Sequence, residues 1–257
     1  MRPLIDIHSH VLYGLDDGAR TLEDSLAMAR MAAAHGTTDL VATPHANLDY
    51  AFQPERIAEQ LAEIQAGAGV AIRLHPGCDF HLSYDNIQDA VDHPRKYTIA
   101  HRNYLLVEFS DLLIFKNTPE IFGRLRDAGM VPIVTHPERN GLLRQRMEEI
   151  AKWVGEGARV QVTAQSLRGG FGNRAKNFSK ALLDRGLVHV IASDAHDCVG
   201  RPPVLDDAFA WLARHYGESL AQALCVLNPG ATLTGEAMSI PDRKESGAAR
   251  KLYQLWR

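Results

Sequence analysis

Cysteine is scarce in this chain, and no two cysteines stand at CxxC spacing. Cys78, Cys198 and Cys225 make an odd three, which excludes a disulfide framework and suits a reducing cytosol. Long hydrophobic runs are missing as well. No segment approaches the roughly 20 apolar residues of a membrane span, and the opening MRPLIDIHSH has neither a long apolar run nor a cleavage site. A cytoplasmic protein without a membrane span is therefore expected. Charge of one sign is not in excess: the formal net charge is −3, which removes any electrostatic basis for non-specific nucleic-acid binding. There is no low-complexity tract and no Pro/Ser-rich linker, so nothing divides the chain.

What is present is an ordinary globular composition, 46% hydrophobic and 23% charged, with β-branched runs alternating with amphipathic stretches. Strand-like runs fall at Leu4–Ile7, Asp39–Thr43, Val70–Leu74, Tyr104–Phe109, Val131–Thr135, Arg159–Thr163 and His189–Ala192. Helical periodicity marks Leu22–Ala34, Pro54–Ala66, Pro119–Ala128, Met147–Val154 and Ala175–Asp184. Thr21 with Asp24 reads as a helix cap, while Gly36, Gly129 and Gly186 follow their helices as stops. Seven strands, each followed by a crossover, imply a parallel sheet, and right-handed crossovers repeated this often close into a barrel. The 257 residues match the roughly 250 that one α/β barrel needs. The expected fold is thus a single α/β barrel over residues 1–238, with 239–257 a charged, loosely ordered tail.

The polar residues gather at the ends of these strands. Asp6-Ile7-His8-Ser9-His10 runs off the first, followed by Asp16-Asp17-Gly18. The second ends in Thr43-Pro44-His45, the third in Gly77-Cys78-Asp79, the fourth in Glu108, the fifth in THPER (135–139) and the seventh in SDAH (193–196). In an α/β barrel all strand C-termini meet at one face, where active sites are built. His8 and His10 are two apart, so on an extended segment both point to one side. Five histidines and four carboxylates exceed what one ion can use, so two or three ions are expected. Imidazole and carboxylate without thiolate favour zinc, manganese or iron. His35, His75, His93, His101, His189 and His215 lack a neighbouring second ligand and read as structural, and His81 is ambiguous.

Taken together, DIHSH, DDG, TPH, VEF, THPER and SDAH resemble the PHP (polymerase and histidinol phosphatase) superfamily of metallophosphoesterases. The longer runs DIHSHVLYGLDDG, THPERN and HVIASDAHDCVGRPP are similar to the manganese-dependent tyrosine-protein phosphatases of bacterial capsular and exopolysaccharide loci. The resemblance runs from about Ile5 to Pro229. It implies a distorted seven-stranded (β/α)7, TIM-like barrel with the metal site at the C-terminal strand ends. It also implies a ligand set: His8, His10, Asp79 and Asp194 for a first ion; Asp79, Glu108 and His136 for a second, with Asp79 bridging; Asp17, His45 and His196 for a third. Arg139 and Arg201 match the family's phosphate-contacting positions. One departure is Asp79, where the family usually carries Glu. The implied cofactors are two or three divalent ions, manganese first, with iron or zinc as alternatives. The implied reaction is hydrolysis of phosphotyrosine in proteins by metal-hydroxide attack, the implied target being a bacterial tyrosine kinase that regulates exopolysaccharide synthesis.

Rival readings are weaker. A cysteine-dependent phosphatase needs an arginine a short loop beyond its thiolate, and Arg201 stands only three residues after Cys198. An amidohydrolase would place a lysine at the fourth strand end. A different PHP phosphoesterase, such as a histidinol-phosphate phosphatase, remains the nearest alternative. A non-catalytic metal-binding module is the alternative of another class, against which the intact ligand set argues, since structural sites are closed and rarely polynuclear.

Overall fold

The computed structural model describes residues 3–69 and 72–239. Nine strand segments are present: β1 Leu4–Ser9, β2 Thr37–Ala42, β3 His45–Ala46, β4 Arg73–Pro76, β5 Asp79–His81, β6 Tyr104–Glu108, β7 Val131–Val134, β8 Arg159–Thr163 and β9 Val190–Ala192. The helices are α1 Leu22–Ala34, α2 Pro54–Gly67, α3 Tyr84–Asp92, α4 Thr118–Asp127, α5 Met147–Gly155, α6 Ala164–Arg168, α7 Gly172–Asp184, α8 Asp206–Tyr216, α9 Glu218–Gln222 and α10 Asn228–Thr234. Part of the expected strand 70–74 and the tail from 240 onward lie outside the described residues.

Local chemistry accounts for the elements. Thr21 caps α1 by accepting from the Asp24 N–H, and the Asp24 carboxylate returns the contact to the Thr21 N–H, a reciprocal capping box. Met28, Ala29 and Ala32 form the buried stripe of that helix, and Gly36 beyond it adopts φ +88°, the left-handed turn glycine takes at least expense. α7 starts at Gly172, three residues earlier than the apolar periodicity suggests, because its exposed first turn carries no apolar residue.

Every pairing between named strands is parallel, in the orders β1-β2-β4 and β3-β5-β6-β7-β8-β9. The last strand returns to the first: the Asp194 N–H donates to the His8 carbonyl at 2.8 Å, the His10 N–H donates to the Ala195 carbonyl at 2.8 Å, and Ser9 bridges Ala195. The sheet is therefore curled, and its core has two sides. Leu105, Val107, Val134 and Ile191 pack outward with Phe122, Trp153 and Leu182 of the helices. The alternate positions Ile7, Val41, Leu106, Ile133, Val190 and Ala192 pack against one another inside the curl, as the two-residue strand period requires. Both faces being covered, the strands are near-continuous apolar runs.

The N-terminal end of the curl is plugged. Ala231 and Met238 join the inner cluster, the Tyr104 hydroxyl donates to the Glu236 carbonyl at 2.7 Å, and the Asn228 amide donates to the His189 carbonyl at 2.9 Å. The second and third rungs run beyond the strands expected at Asp39–Thr43 and Val70–Leu74 and are broken at Thr43–Pro44 and at Gly77–Cys78, giving the β2/β3 and β4/β5 pairs. A Cβ on Gly77 would lie 2.8 Å from Val41 Cγ1 and 3.1 Å from Thr43 Cγ2, so the two breaks pack directly on each other.

Candidate metal centre

The strand ends opposite the plug bring the expected residues together. His8 and His10 leave β1 with their Nε2 atoms 3.4 Å apart. His8 Nε2 stands 3.4 Å from Asp79 Oδ2 and 3.3 Å from Asp194 Oδ1, and His10 Nε2 stands 3.4 Å from that same Asp194 oxygen. His45 Nδ1 lies 3.4 Å from Asp79 Oδ2 and 3.5 Å from Glu108 Oε2, while its Nε2 lies 3.5 Å from Asp17 Oδ1. His196 Nε2 is 3.3 Å from Asp17 Oδ1. His136 Nε2 is the most remote, 4.0 Å from Asp79 Oδ2 and 3.9 Å from Glu108 Oε1. Four groups of donors lie within 4.8 Å of one another: His10, Asp17, His45 and His196; His8, His136 and Asp194; His8, His10 and Asp79; His45, Asp79 and Glu108. His45 thus reaches the Asp79 and Glu108 side as well as Asp17 and His196, and His10 reaches the latter pair.

These donor sets fit divalent cations. Zinc-type bonds of about 2.1 Å place neighbouring ligand atoms about 3.0–3.4 Å apart at tetrahedral or octahedral angles, which brackets the 3.3–3.4 Å separations around His8 and His10. Both carboxylate oxygens of Asp79 and the Nδ1 of His45 are buried without a hydrogen-bond partner, and buried polar atoms left so are costly unless something satisfies them. The backbone is bent to reach this arrangement: His136 and Asp194 adopt φ of +32° and +51°.

The surroundings tune each group. Burial pushes the Asp79 carboxyl up, but His8, His136 and His45 close around it and hold it well below the usual carboxylate range. Asp17, contacted by His196 and His45, is likewise held below that range. Burial and the neighbouring His10 push His196 down to about 3, and burial lowers His8. For His10, burial works downward, yet the Asp16 carboxylate at Nδ1 together with Asp79 and Asp17 outweighs it and the pKa rises.

Two orienting residues carried no role in the sequence reading. Asp16 Oδ2 lies 2.7 Å from His10 Nδ1, and Gln161 Oε1 from β8 lies 3.1 Å from His8 Nδ1. Each occupies one ring nitrogen and leaves Nε2 for the cluster. Asp16 was visible in the DDG run; Gln161 offers only the weak signal of a glutamine inside an apolar strand.

Arg139 follows β7 and Arg201 follows β9, and both donate to Asp194 Oδ2, Arg201 at 2.5 Å. Neither caps a helix nor stands free: their side chains are 23% and 24% exposed, and burial lowers both pKa values from the usual arginine range. A cavity of about 150 Å³ beside Arg139 is lined by that residue and by Glu108, Phe109 and His136, among others. The histidines read as structural have local partners: His35 with Asp206, His75 with Asp39, His93 with Asp89, His101 with the Arg95 carbonyl, His189 with the Val160 N–H, and His215 with the Trp211 carbonyl. His81 Nδ1 lies 3.8 Å from Glu108 Oε2, at the margin of the site. Burial raises the thiols of Cys78, Cys198 and Cys225, so none is primed as a nucleophile.

The chain is similar to known proteins over most of its length. The chain is 32% identical over 210 residues to the putative tyrosine-protein phosphatase CapC of Staphylococcus aureus, covering 80% of this chain and 82% of the relative. It is 32% identical over 225 residues to the tyrosine-protein phosphatase YwqE of Bacillus subtilis strain 168, covering 86% and 88%. The fold superposes with a TM-score of 0.86 and 28% identity, covering 93% of this chain and 97% of the other, on a crystal structure from work on YwqE of Bacillus subtilis and CpsB of Streptococcus pneumoniae, which calls them unique metal-dependent tyrosine phosphatases. The profile of the capsular polysaccharide synthesis family CpsB/CapC matches residues 4–234, and the chain belongs to that family.

Proposed function

We propose that this chain is a metal-dependent protein-tyrosine phosphatase built on a distorted (β/α)7 barrel. The nine strand segments count as seven rungs once β2 with β3 and β4 with β5 are taken as single kinked strands. Residues 1–238 are assigned as the catalytic unit. The observation that carries the reading is Asp79. Its two buried oxygens lack hydrogen-bond partners among histidines and carboxylates at ligand spacing, next to Asp194, on which two arginines converge.

His8, His10, Asp79 and Asp194 would hold one ion, Asp79, Glu108 and His136 a second, and Asp17, His45 and His196 a third, with His10 and His45 near enough to share. Bound divalent ions, manganese first and iron or zinc as alternatives, supply positive charge for the phosphate and acidify water to near-neutral pKa. Arg139 and Arg201 present forked guanidinium donors suited to a tetrahedral oxyanion. Their positions on separate strand ends allow them to grip different oxygens and neutralise charge as it builds. Asp16 and Gln161 keep the His10 and His8 rings in register. A phenol, with pKa near 10, leaves without a strong general acid, in keeping with an aryl phosphate as substrate. The physiological partner is a phosphotyrosine protein, a bacterial tyrosine kinase of an exopolysaccharide system, met in the cytoplasm. Among the described residues no helix is long and apolar enough to cross a membrane.

The test is hydrolysis of p-nitrophenyl phosphate and of a phosphotyrosine peptide. Activity should vanish on exhaustive chelation, return with Mn²⁺, and survive iodoacetamide. Full activity after chelation, or loss on alkylation, would overturn the reading.

A further inference from the structure

The turn between α6 and α7 is Gly169-Gly170-Phe171-Gly172, a single aromatic among three glycines. Gly169 and Gly172 adopt φ of +94° and +83°, conformations that favour glycine. A Cβ on Gly170 would lie 3.0 Å from the Cβ of Gln165. Two backbone bonds fix the turn, from the Gly170 N–H to the Gln165 carbonyl and from the Gly172 N–H to the Gly169 carbonyl, each 2.9 Å. The turn delivers the half-buried Phe171 ring to the arginines: the ring centre is 4.3 Å from Arg139 Cζ and 5.9 Å from Arg201 Cζ.

Two like charges held side by side repel; Asp194 and Phe171 each contact both arginines, and the Asp79 and Glu108 charges act on both as well. Asp194 meets them at their N–H edges, the same edges a phosphate needs. A phosphate arriving there competes with that carboxylate for the donors it holds, Arg139 Nη1 and Arg201 Nη2. The Phe171 ring lies over the guanidinium groups, where its negative π face attracts them and leaves the N–H edges to the phosphate.

We propose that Phe171 is a positioning residue for phosphate, a ring that keeps Arg139 and Arg201 paired when their donors turn from Asp194 to the substrate. The proposal rests on the phosphatase reading for its substrate, but makes its own demand on phosphate affinity. The holoenzyme and its Phe171→Leu, Phe171→Met and Phe171→Tyr variants are compared by calorimetric binding of inorganic phosphate, by KM and kcat on p-nitrophenyl phosphate, and by metal content per chain. Replacing the ring with Leu or Met should weaken phosphate binding and raise KM by about fivefold to tenfold, with a smaller change in kcat and unchanged metal content. Phe171→Tyr should restore wild-type values to within about twofold. Wild-type phosphate affinity in folded Phe171→Leu or Phe171→Met, or a fall in metal content that accounts for the loss, overturns the proposal. Wild-type protein that binds phosphate with this dependence on Phe171 but turns over no aryl phosphate would sink the phosphatase reading alone.

Discussion

His10 Nδ1 rests 2.7 Å from Asp16 Oδ2, and the same oxygen accepts the backbone N–H of His45 at 3.1 Å. One carboxylate thereby sets both the tautomer of one candidate ligand and the backbone of another. Asp16→Asn keeps the size but gives up the charge that favours N–H at Nδ1. Metal affinity, measured by competition with a chromogenic chelator, should fall about 10- to 100-fold, as for other orienting partners of metal-bound histidines. Unchanged affinity would remove the role assigned to Asp16.

Arg139→Ala and Arg201→Ala each delete one donor to phosphate. We expect kcat/KM on p-nitrophenyl phosphate to drop about 100-fold or more for each, roughly the 3 kcal/mol of an oxyanion donor, with metal content per chain unchanged. Wild-type kinetics in both variants would show that the arginines serve only Asp194.

Asp79 stands where the sequence resemblance implies the longer Glu. Its Oδ2 is 3.4 Å from both His8 Nε2 and His45 Nδ1, so the shorter side chain already reaches two donor sets, and the close packing at Gly77 brings the backbone in. Asp79→Ala should lose ions from both sets together with most activity, whereas Asp79→Glu should be mildly altered. Elemental analysis decides it: full metal content in Asp79→Ala would mean Asp79 bridges nothing.

His189 gives a pH signature separate from the metal cluster. Burial, then the nearby Arg159 charge, lower its pKa to about 3, and its neutral Nδ1 accepts the Val160 N–H at 3.2 Å. Since the folded pKa lies below the unfolded value of about 6.5, the unfolded chain takes up the proton first. The neutral ring's contribution is complete above about pH 6.5 and is lost as pH falls toward 3. Chelator-treated wild-type protein should lose about 2–3 kcal/mol more stability between about pH 7 and 4.5 than His189→Gln. Parallel denaturation curves across that range would contradict this.

The parts of the fold and site legible in the sequence are those written locally. The Thr21 cap, the starts of β1, β6, β7 and β8, and the polar motifs at the strand ends announce themselves by short patterns. The third strand runs past its expected end at Leu74 to Pro76, a stretch of poor β sequence that pairing with Asp39–Ala42, rather than composition, keeps extended. Gln161 was illegible for a related reason: its partner His8 is 153 residues away, and a lone amide in an apolar strand carries no local pattern. The Phe171 turn and the α10 segment that plugs the curl likewise derive their meaning from distant contacts.

The paired breaks in β2/β3 and β4/β5 have a consequence for how such a chain can change. Pairing steps from Ala42 with Pro76 to His45 with Asp79 without slipping, because each strand skips the same two residues. A one-residue deletion in either break would move His45 past Asp79 and turn its side chain to the opposite face of the sheet. The limit here is therefore on length more than on residue identity. Insertions and deletions at 43–44 and 77–78 keep this register only as matched pairs.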